Sequence, residues 1–464
     1  MRQPLTPHHD RFPAIGRRTL LLGAFSATTL ACAVPAQALP GSPQPSRRGR
    51  PGLASALDFL ETMTTAGRSA EGPTLPQSYA DQLGLFSTAF VYDAALALLA
   101  ALASGEEHLA RRIADGLVFA QTHDPVHRDG RLRQGYNVAP FTFYDGVRNE
   151  HGLELPDGTA NIGWQFGFLG TAVGDMAWPG IALVQAYRAT GDAGYRAAAQ
   201  RIGEWILARA VNSGALGGFS FGVSASDQPI PNVSTEHNID CVSLFTLLSA
   251  VDPSPRWDAA AEHARTFVER MWEPAGGFFY TGSNDGIVIN RAPLPLDPQT
   301  WSWLALQDPR YAGALDWAAT ALAVTDTPQS PNSQLPAGTA FSGVTFSSAS
   351  LTSTAVYNGL AVDPNGVWFE GSAQLALALA DRAMPRDRAR ANALLREMRR
   401  AQTALGAGQT VSGVELEAGG LVAASSPIDS GFGFGYFQVQ HVGATAWYVM
   451  AERGANPMVP GGLD

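Results

Sequence analysis

The chain has 464 residues and a formal net charge of −10. An acidic chain is a poor partner for nucleic acid, because the phosphate backbone is bound by basic surfaces. Only one of its two cysteines, Cys241, lies outside the N-terminal segment, so we expect no intramolecular disulfide in the mature protein and ascribe its stability to packing.

Residues 1–38 are predicted to be a signal peptide. Arg17 and Arg18 precede an apolar stretch at 20–33, and residues 36–38 have the small-x-small pattern that a signal peptidase cuts. The arginine pair favours the twin-arginine export route. The apolar stretch is too short to span a membrane. We therefore expect an exported protein, periplasmic or extracellular, with no stable membrane insertion.

Lipid anchoring through Cys32 is a second interpretation of this segment. It is less favoured, because Thr29 fits a lipoprotein signal poorly and the cleavage site at 36–38 serves better. Residues 39–50 are then expected to be a disordered linker, and residues 51–464 a single catalytic domain.

The mature part repeats a pair of helices, an apolar one rich in alanine and leucine and then an amphipathic one. The first is apolar almost all round, as a doubly buried helix requires, whereas the second has one apolar stripe and suits an outer layer. Single helices predicted at 54–65 and 442–453 pair with each other and close the ring. The five complete pairs are 88–104 with 106–123, 176–190 with 193–211, 239–251 with 255–272, 298–306 with 311–324, and 370–383 with 387–404.

The predicted fold class is therefore all-α, an (α/α)6 toroid of six helical hairpins. An open solenoid is the alternative, but the ends of the mature chain lack the polar capping repeats that a solenoid needs. Long loops rich in glycine and aromatic residues lead into the inner helices, at 217–221, 276–280 and 431–437. They are predicted to form short β-hairpins on one face of the ring, which makes that face the candidate site.

Polar and aromatic residues gather where these loops enter the inner helices. Five of the six entries bring a carboxylate, and the sixth brings His441. Because the inner helices of a ring run parallel, their N-terminal ends should meet in one pocket. Helix capping is the alternative explanation for a single acid at such a position, and Asp297 before Pro298 fits it well. Capping does not explain the aromatic residues beside the acids.

Acids and aromatic rings in one groove suit carbohydrate, since sugar C–H faces pack on rings and hydroxyl groups bond to carboxylates. Glycoside hydrolysis needs one protonated and one ionised carboxyl group. Apolar surroundings favour the neutral acid, so Glu370 is the expected acid and Glu236, in a more polar setting, the expected base. Asp175 and Asp240 are further catalytic candidates. The expected substrate-binding residues are Tyr92, Asp93, Trp178, His237, Asn238, Gln299, Trp301, Trp368 and His441.

The stretches 234–240, 367–371 and 441–447 carry a family resemblance. With them, the chain resembles the six-hairpin glycosidase-like superfamily, the (α/α)6 barrels, over nearly all of its mature part. The resemblance implies a substrate cleft at the N-terminal ends of the inner helices and acids that act in hydrolysis. Individual catalytic roles are not inherited, because no single family matches motif by motif.

Three functions follow from this sequence. The first is a glycoside hydrolase. The second is a polysaccharide lyase or sugar epimerase that uses His237, His441 or Tyr92 as a proton shuttle. The third is a carbohydrate-binding protein without catalysis. No metal or cofactor is expected, because the sequence has neither a histidine or cysteine cluster with metal spacing nor a phosphate loop. The sugar, the linkage and the oligomeric state stay open.

Overall fold

A computed structural model describes residues 52–69, 72–163 and 168–463. The predicted signal peptide, the linker and Cys32 lie outside these residues. Within them the chain forms twelve α-helices: Leu53–Thr65 (α1), Val91–Ser104 (α2), Glu107–Thr122 (α3), Val173–Thr190 (α4), Ala193–Arg209 (α5), Thr235–Val251 (α6), Pro255–Arg270 (α7), Asp297–Leu306 (α8), Gly313–Ala321 (α9), Phe369–Arg382 (α10), Asp387–Ala404 (α11) and Val442–Arg453 (α12).

The even-numbered helices close into a ring. Each of α2, α4, α6, α8 and α10 packs against the next even-numbered helix, and α12 packs against α2. The odd-numbered helices lie outside, with α1 against α12 and α3 against α2. The predicted toroid is confirmed, including the closure by the first and last helices.

Burial separates the two layers as the sequence patterns indicate. All ten residues of α8 are buried, and α2 is buried from Val91 to Ala101. In the outer helix α7, by contrast, the buried residues recur at Trp257, Ala260, Ala264 and Phe267, which is the spacing of one helical face. An apolar inner helix can therefore pack against two neighbours and its own outer partner at once.

The strands are short, antiparallel and placed in the loops. The predicted strand at 217–221 forms slightly later, because Gly217 and Gly218 take positive φ angles of 71° and 76° and make a turn there. The paired strands are Thr88–Phe90 with Gly135–Asn137, Phe141–Thr142 with Arg148–Asn149, Thr171–Ala172 with Gly222–Val223 and Pro229–Ile230, Val233–Ser234 with Gly282–Ser283 and Ile289–Asn290, Trp272–Glu273 with Phe278–Phe279, Ala323–Asp326 with Phe341–Val344, Val356–Tyr357 with Leu360–Ala361, Thr410–Val411 with Val414–Glu415, and Ile428–Asp429 with Gly435–Tyr436.

Three 3-10 turns complete the described elements, at Asp81–Leu83, Pro309–Tyr311 and Ser350–Thr352. None of the described helices is both long and apolar enough to cross a membrane. The ring and its loops thus present one face on which the N-terminal ends of six inner helices open.

Candidate active site

The N-terminal ends of the inner helices come together, although their residues are far apart in the chain. The hydroxyl group of Tyr92, on α2, donates a hydrogen bond of 2.7 Å to Glu370 on α10. Nε2 of His441, just before α12, lies 3.1 Å from Oδ1 of Asp93 on α2. Side chains from the starts of three inner helices, among them the acids Asp93 and Glu370, therefore lie close together.

The acids do not cap their helices through hydrogen bonds. Ser234 and His441 are the capping residues of α6 and α12, and their side chains accept from main-chain N–H groups. Asp297, predicted as a cap, is the first residue of α8, and the capping position is taken by Leu296 without a side-chain hydrogen bond. That prediction was wrong by one position. The carboxylates of Asp93 and Glu370 instead point to partners on other helices.

Glu370 is held by a chain of hydrogen bonds in the core. It is fully buried, and Nε1 of Trp447 lies 3.1 Å from the Tyr92 oxygen. An indole N–H can only donate, so it donates to Tyr92, and the single phenolic proton is left for Oε1 of Glu370. Gln374 adds a longer contact of 3.4 Å to the same oxygen. A proton carried by Glu370 would therefore lie on its other oxygen, Oε2.

His441 lies between two carboxylates. Its Nδ1 accepts from the main-chain N–H of Ala444 at 3.3 Å and is 3.7 Å from Oε2 of Glu370, while Nε2 faces Asp93. These contacts fit the tautomer with its proton on Nε2. Tyr79 stacks on the imidazole, with ring centres 4.1 Å apart and planes 6° from parallel. The imidazole is thus fixed in orientation by an acid, a main-chain donor and an aromatic ring.

Gly443 permits this close approach. A Cβ atom added at Gly443 would lie 2.7 Å from Oδ1 of Asp93 and 2.7 Å from the imidazole of His441, nearer than real Cβ contacts come. Any side chain at this position would push the two groups apart.

Asp175, another predicted catalytic acid, has a separate partner. It is only 5% exposed and accepts a hydrogen bond of 2.9 Å from the side-chain amide of Gln134. Gln134 lies in the loop after α3, and its main chain also bonds to Val91 at the start of α2. The loop after α3 therefore positions Asp175 through Gln134 and is itself bonded to the start of α2.

The acids of α6 differ in exposure. Glu236 is partly exposed, whereas Asp240 is fully buried one turn further along the helix. His237 is buried as well, and its ring lies 4.9 Å from that of Phe221. Of the four predicted catalytic acids, Glu236 alone is partly open to solvent.

Asn238 and Gln299 hold the glycine-rich loops to the inner helices. The amide oxygen of Asn238 accepts from the N–H of Phe219, and its NH₂ group donates to the carbonyl of the same residue. Gln299 makes the same pair of bonds with Phe279, one repeat later. These two predicted substrate contacts are thus hydrogen-bonded to the main chain of the loops.

The predicted tryptophans are packed in the core of the ring. Trp178 and Trp301 are fully buried, with ring centres 5.1 Å apart, and Trp178 lies 5.6 Å from both Tyr92 and Trp447. Trp368 is also fully buried, and its ring packs on Tyr436 and Phe346. Trp178 and Trp301 thus pack around the ring of Tyr92. The sequence pattern does not distinguish such a core tryptophan from one that stacks on a sugar.

An aromatic pocket lies beside the cluster. We define the aromatic pocket by its ten lining residues: Tyr79, Leu83, Leu85, Tyr357, Asn358, Phe434, Gly435, Tyr436, Phe437 and Val439. Sequence reasoning noted the aromatic run at 431–437 but missed Tyr79 and Tyr357. Neither stands at the start of a helix, and only the stacking of Tyr79 on His441 reveals its place.

Replacing Tyr92 by phenylalanine should destabilise the protein by about 1–3 kcal/mol, because it leaves Trp447 Nε1 without its acceptor in a buried site. The free energy of unfolding, from denaturant titration, measures this. The control is Tyr187→Phe, since Tyr187 is partly buried and its hydroxyl has only a long 3.4 Å contact with Arg196. Equal stabilities of the two variants would contradict the hydrogen-bond chain.

Known structures share this architecture, although no protein-family model and no curated protein sequence matches the chain. A glycosidase variant in complex with glucose is 13% identical, with a TM-score of 0.52 and coverage of 88% of this chain and 98% of its own. Cellobiose 2-epimerase from Spirochaeta thermophila is 12% identical, with a TM-score of 0.54 and coverage of 87% and 97%. D-mannose isomerase is 11% identical, with a TM-score of 0.55 and coverage of 86% and 95%.

At such low identities the likeness is one of fold. The chain shares its (α/α)6 toroid fold with these proteins, and the fold implied by the resemblance seen in the sequence is confirmed. The same fold carries hydrolysis, epimerisation and isomerisation in these proteins, so the reaction has to be argued from the site.

Proposed function

We propose that the chain is an exported enzyme that acts on carbohydrate, and that its reaction is hydrolysis of a glycosidic bond. The observation that carries the proposal is the fully buried Glu370, which accepts a hydrogen bond from Tyr92 on Oε1 and has Oε2 3.7 Å from Nδ1 of His441. A carboxyl group whose two oxygens have different partners in a dry site suits proton transfer to a leaving group. The fold shared with sugar-acting enzymes supports the choice of substrate.

In the proposed mechanism Glu370 is the general acid. Its Oε2 proton passes to the glycosidic oxygen as the bond from that oxygen to the anomeric carbon breaks. Glu236, partly exposed, takes a proton from the water whose oxygen bonds to the anomeric carbon. The leaving alcohol takes the proton of Glu370, and the new hemiacetal takes the hydroxyl group of the water. The water proton on Glu236 then passes to solvent, and Glu370 is reprotonated from solvent.

Asp93 and His441 support Glu370 in this scheme. His441, whose Nε2 faces Asp93 and whose Nδ1 accepts from Ala444, places Nδ1 3.7 Å from Oε2 of Glu370. Tyr92 bonds to Oε1, and Oε2 is the proposed reacting atom.

A sugar epimerase or isomerase is the second candidate function. The specific observation in its favour is the imidazole of His441 held between Asp93 and Glu370, because an oriented neutral imidazole can remove a proton from the carbon next to a carbonyl group. The proton would then be returned to the other face or to the neighbouring carbon by a second group.

A screen of the purified mature protein separates these functions. It is incubated with plant, fungal and bacterial glycans, and with free aldoses and disaccharides in D₂O. We expect new reducing ends, without the ultraviolet absorbance of the unsaturated product that a lyase makes. Deuterium entering the carbon next to the sugar carbonyl, without bond cleavage, would instead establish the epimerase or isomerase. Binding without turnover of any substrate would contradict both.

A further inference from the structure

A group of four aromatic side chains stands on the surface, beside the segment that leads into α2. Phe86 is at its centre, and its ring centre lies 5.0, 5.1 and 4.8 Å from those of Phe141, Phe143 and Tyr144. The three phenylalanines are partly exposed, and Tyr144 is 64% exposed. We call these four residues the aromatic platform. Except for Phe86, they belong to the hairpin at 141–149, with Tyr144 in its turn.

Tyr144 has its polar end buried and its ring exposed, the reverse of the usual arrangement. A surface tyrosine normally packs its ring on the protein and keeps its hydroxyl group in water. The Tyr144 hydroxyl group instead donates a hydrogen bond of 2.8 Å to the carbonyl of Gly84, and burial raises the pKa of the phenol. A Cβ atom added at Gly84 would lie 3.0 Å from that hydroxyl oxygen, so glycine permits the contact. The hydrogen bond therefore keeps a largely exposed ring in a fixed position.

Phe86 supports this surface in a backbone conformation that is costly for a phenylalanine. Its φ of 51° lies in the left-handed region, which bulky residues rarely adopt. Strain of this kind persists where the surrounding structure imposes it, and it gathers at binding sites. The strained residue here carries the central ring of a partly exposed cluster, so its place is not explained by filling the core.

The platform lies close to the proposed active site. Phe86 is seven residues before Asp93 in the first turn of α2, so the two are at most about 25 Å apart even along a fully extended chain. Leu85, next to Phe86, lies in the same surface depression as Tyr79, whose ring stacks on His441. A polymeric substrate is long enough to contact the site and the platform at once.

The surroundings of the platform favour a neutral ligand rich in hydroxyl groups. Thr142 and Asp145 are exposed at its edge, and Arg148 is paired with Glu150 at 2.7 Å. Sugars pack their C–H faces on aromatic rings and form hydrogen bonds through their hydroxyl groups. A membrane surface is disfavoured, because anionic lipids attract clustered basic residues and this chain has a formal net charge of −10.

We propose that the aromatic platform binds a neutral polysaccharide, at sugar units away from the bond that is cleaved. The inference rests on the proposed hydrolysis and makes its substrate a polymer. Because the rings are ordered before the ligand arrives, binding does not pay the entropy of ordering a loop.

The test measures binding of soluble neutral polysaccharides without turnover. Glu370→Gln is the reference protein, and mannan, galactomannan, xyloglucan and laminarin are the probes in affinity gel electrophoresis. We expect the reference to bind at least one of them. Adding Tyr144→Ala should weaken this binding about 5- to 10-fold, the effect of losing one stacked ring. Adding Phe86→Asn should weaken it as well, since asparagine accepts the left-handed conformation but has no ring to offer.

Tyr187→Ala in the same reference protein is the matched control. Tyr187 is also a partly exposed tyrosine, but it lies in the last turn of α4, at the other end of the inner layer. Its replacement should leave the binding unchanged. Circular dichroism on all four proteins shows that they are folded, and hydrolysis of the polysaccharides and of short oligosaccharides by the parent protein is assayed separately.

The outcomes separate the platform from the hydrolase. Hydrolysis by the parent together with no polysaccharide binding, or with binding that neither Tyr144→Ala nor Phe86→Asn weakens, would overturn the platform and leave the hydrolase. Binding that both changes weaken, in a protein whose parent cleaves no glycan, would overturn the hydrolase and keep the platform. Dimerisation or liposome binding that Tyr144→Ala abolishes, with polysaccharide binding unaffected, would assign the same surface to another partner and overturn the proposal.

Discussion

Replacing Glu370 by glutamine should lower kcat by about 10²–10⁴-fold on the substrate found by the glycan screen, the range that one acid–base group contributes. The amide has the shape of the carboxyl group, and its oxygen still accepts from Tyr92. It cannot deliver a proton to the leaving oxygen. The fold should therefore persist while the chemistry fails, which circular dichroism and initial rates measured on the same sample would show.

Two further glutamates make this prediction sharper. Glu236→Gln should also lower kcat strongly, because the proposed base is lost. Glu397→Gln is the control, since Glu397 lies on the outer helix α11 and pairs with Arg400 one turn away. It should have no effect on activity. Full activity in Glu370→Gln would remove the proposed acid, whatever the effect of the other two changes.

The ring could be predicted because its signal is local and repeated. An apolar helix such as α2, rich in alanine and leucine, and an amphipathic one such as α7 are recognisable from composition and spacing alone. Closure could also be predicted, because α1 and α12 each lacked a partner. The small errors lie at boundaries, as at Asp297, where one residue decides between a cap and the first turn.

The site could be predicted only as a set of positions. Asp93, Glu370 and His441 were recognisable, since polar residues at the start of buried helices need a reason. Their pairing was not, because Asp93 and His441 are 348 residues apart and meet only where the ring closes by packing α12 against α2. Nor could Trp178 be assigned to the core, since a buried tryptophan and one that lines a cleft leave the same pattern in the sequence.

The position of Tyr357 in the aromatic pocket could not be predicted from the sequence either. It follows an exposed Val356 in a loop between α9 and α10, and nothing in the local pattern distinguishes it from a surface residue. Its role in the aromatic pocket arises from Asp429 and Tyr436, which belong to another hairpin. Side chains on loops are placed by contacts between loops, and these contacts have no period along the chain.

The second large effect is expected at a buried ion pair behind the site. Asp124 and Arg133 are 1% and 3% exposed, and their side chains bond through both guanidinium Nε and Nη2, the latter at 3.0 Å. Arg133 also donates to the carbonyl of Leu169, just before the strand that enters α4. The pair thus fixes the loop that carries Gln134 to Asp175.

Asp124→Asn should lower the free energy of unfolding by about 3–5 kcal/mol at neutral pH, because the charge of Arg133 stays buried without its partner. The cost should appear as a lower denaturant midpoint. Glu107→Gln is the control, since Glu107 forms an exposed pair with Arg111 on α3 and should change stability by less than about 0.5 kcal/mol. A change below about 1 kcal/mol in Asp124→Asn would contradict a structural role for the pair.

The pH dependence gives the same pair an independent test. Burial alone would raise the pKa of Asp124, but the hydrogen bonds from Arg133 and from the N–H groups of Val126 and His127 outweigh it and hold that pKa below its ordinary value. A carboxyl group with a lowered folded pKa stabilises the fold above its unfolded pKa, and this stability is lost as pH falls through the folded pKa. The parent should therefore lose stability below about pH 4. Asp124→Asn has no carboxyl group to protonate at this position. The difference in unfolding free energy between parent and variant should therefore become smaller as the pH is lowered. A difference that stays constant down to acid unfolding would show that Asp124 is not ionised in the folded protein.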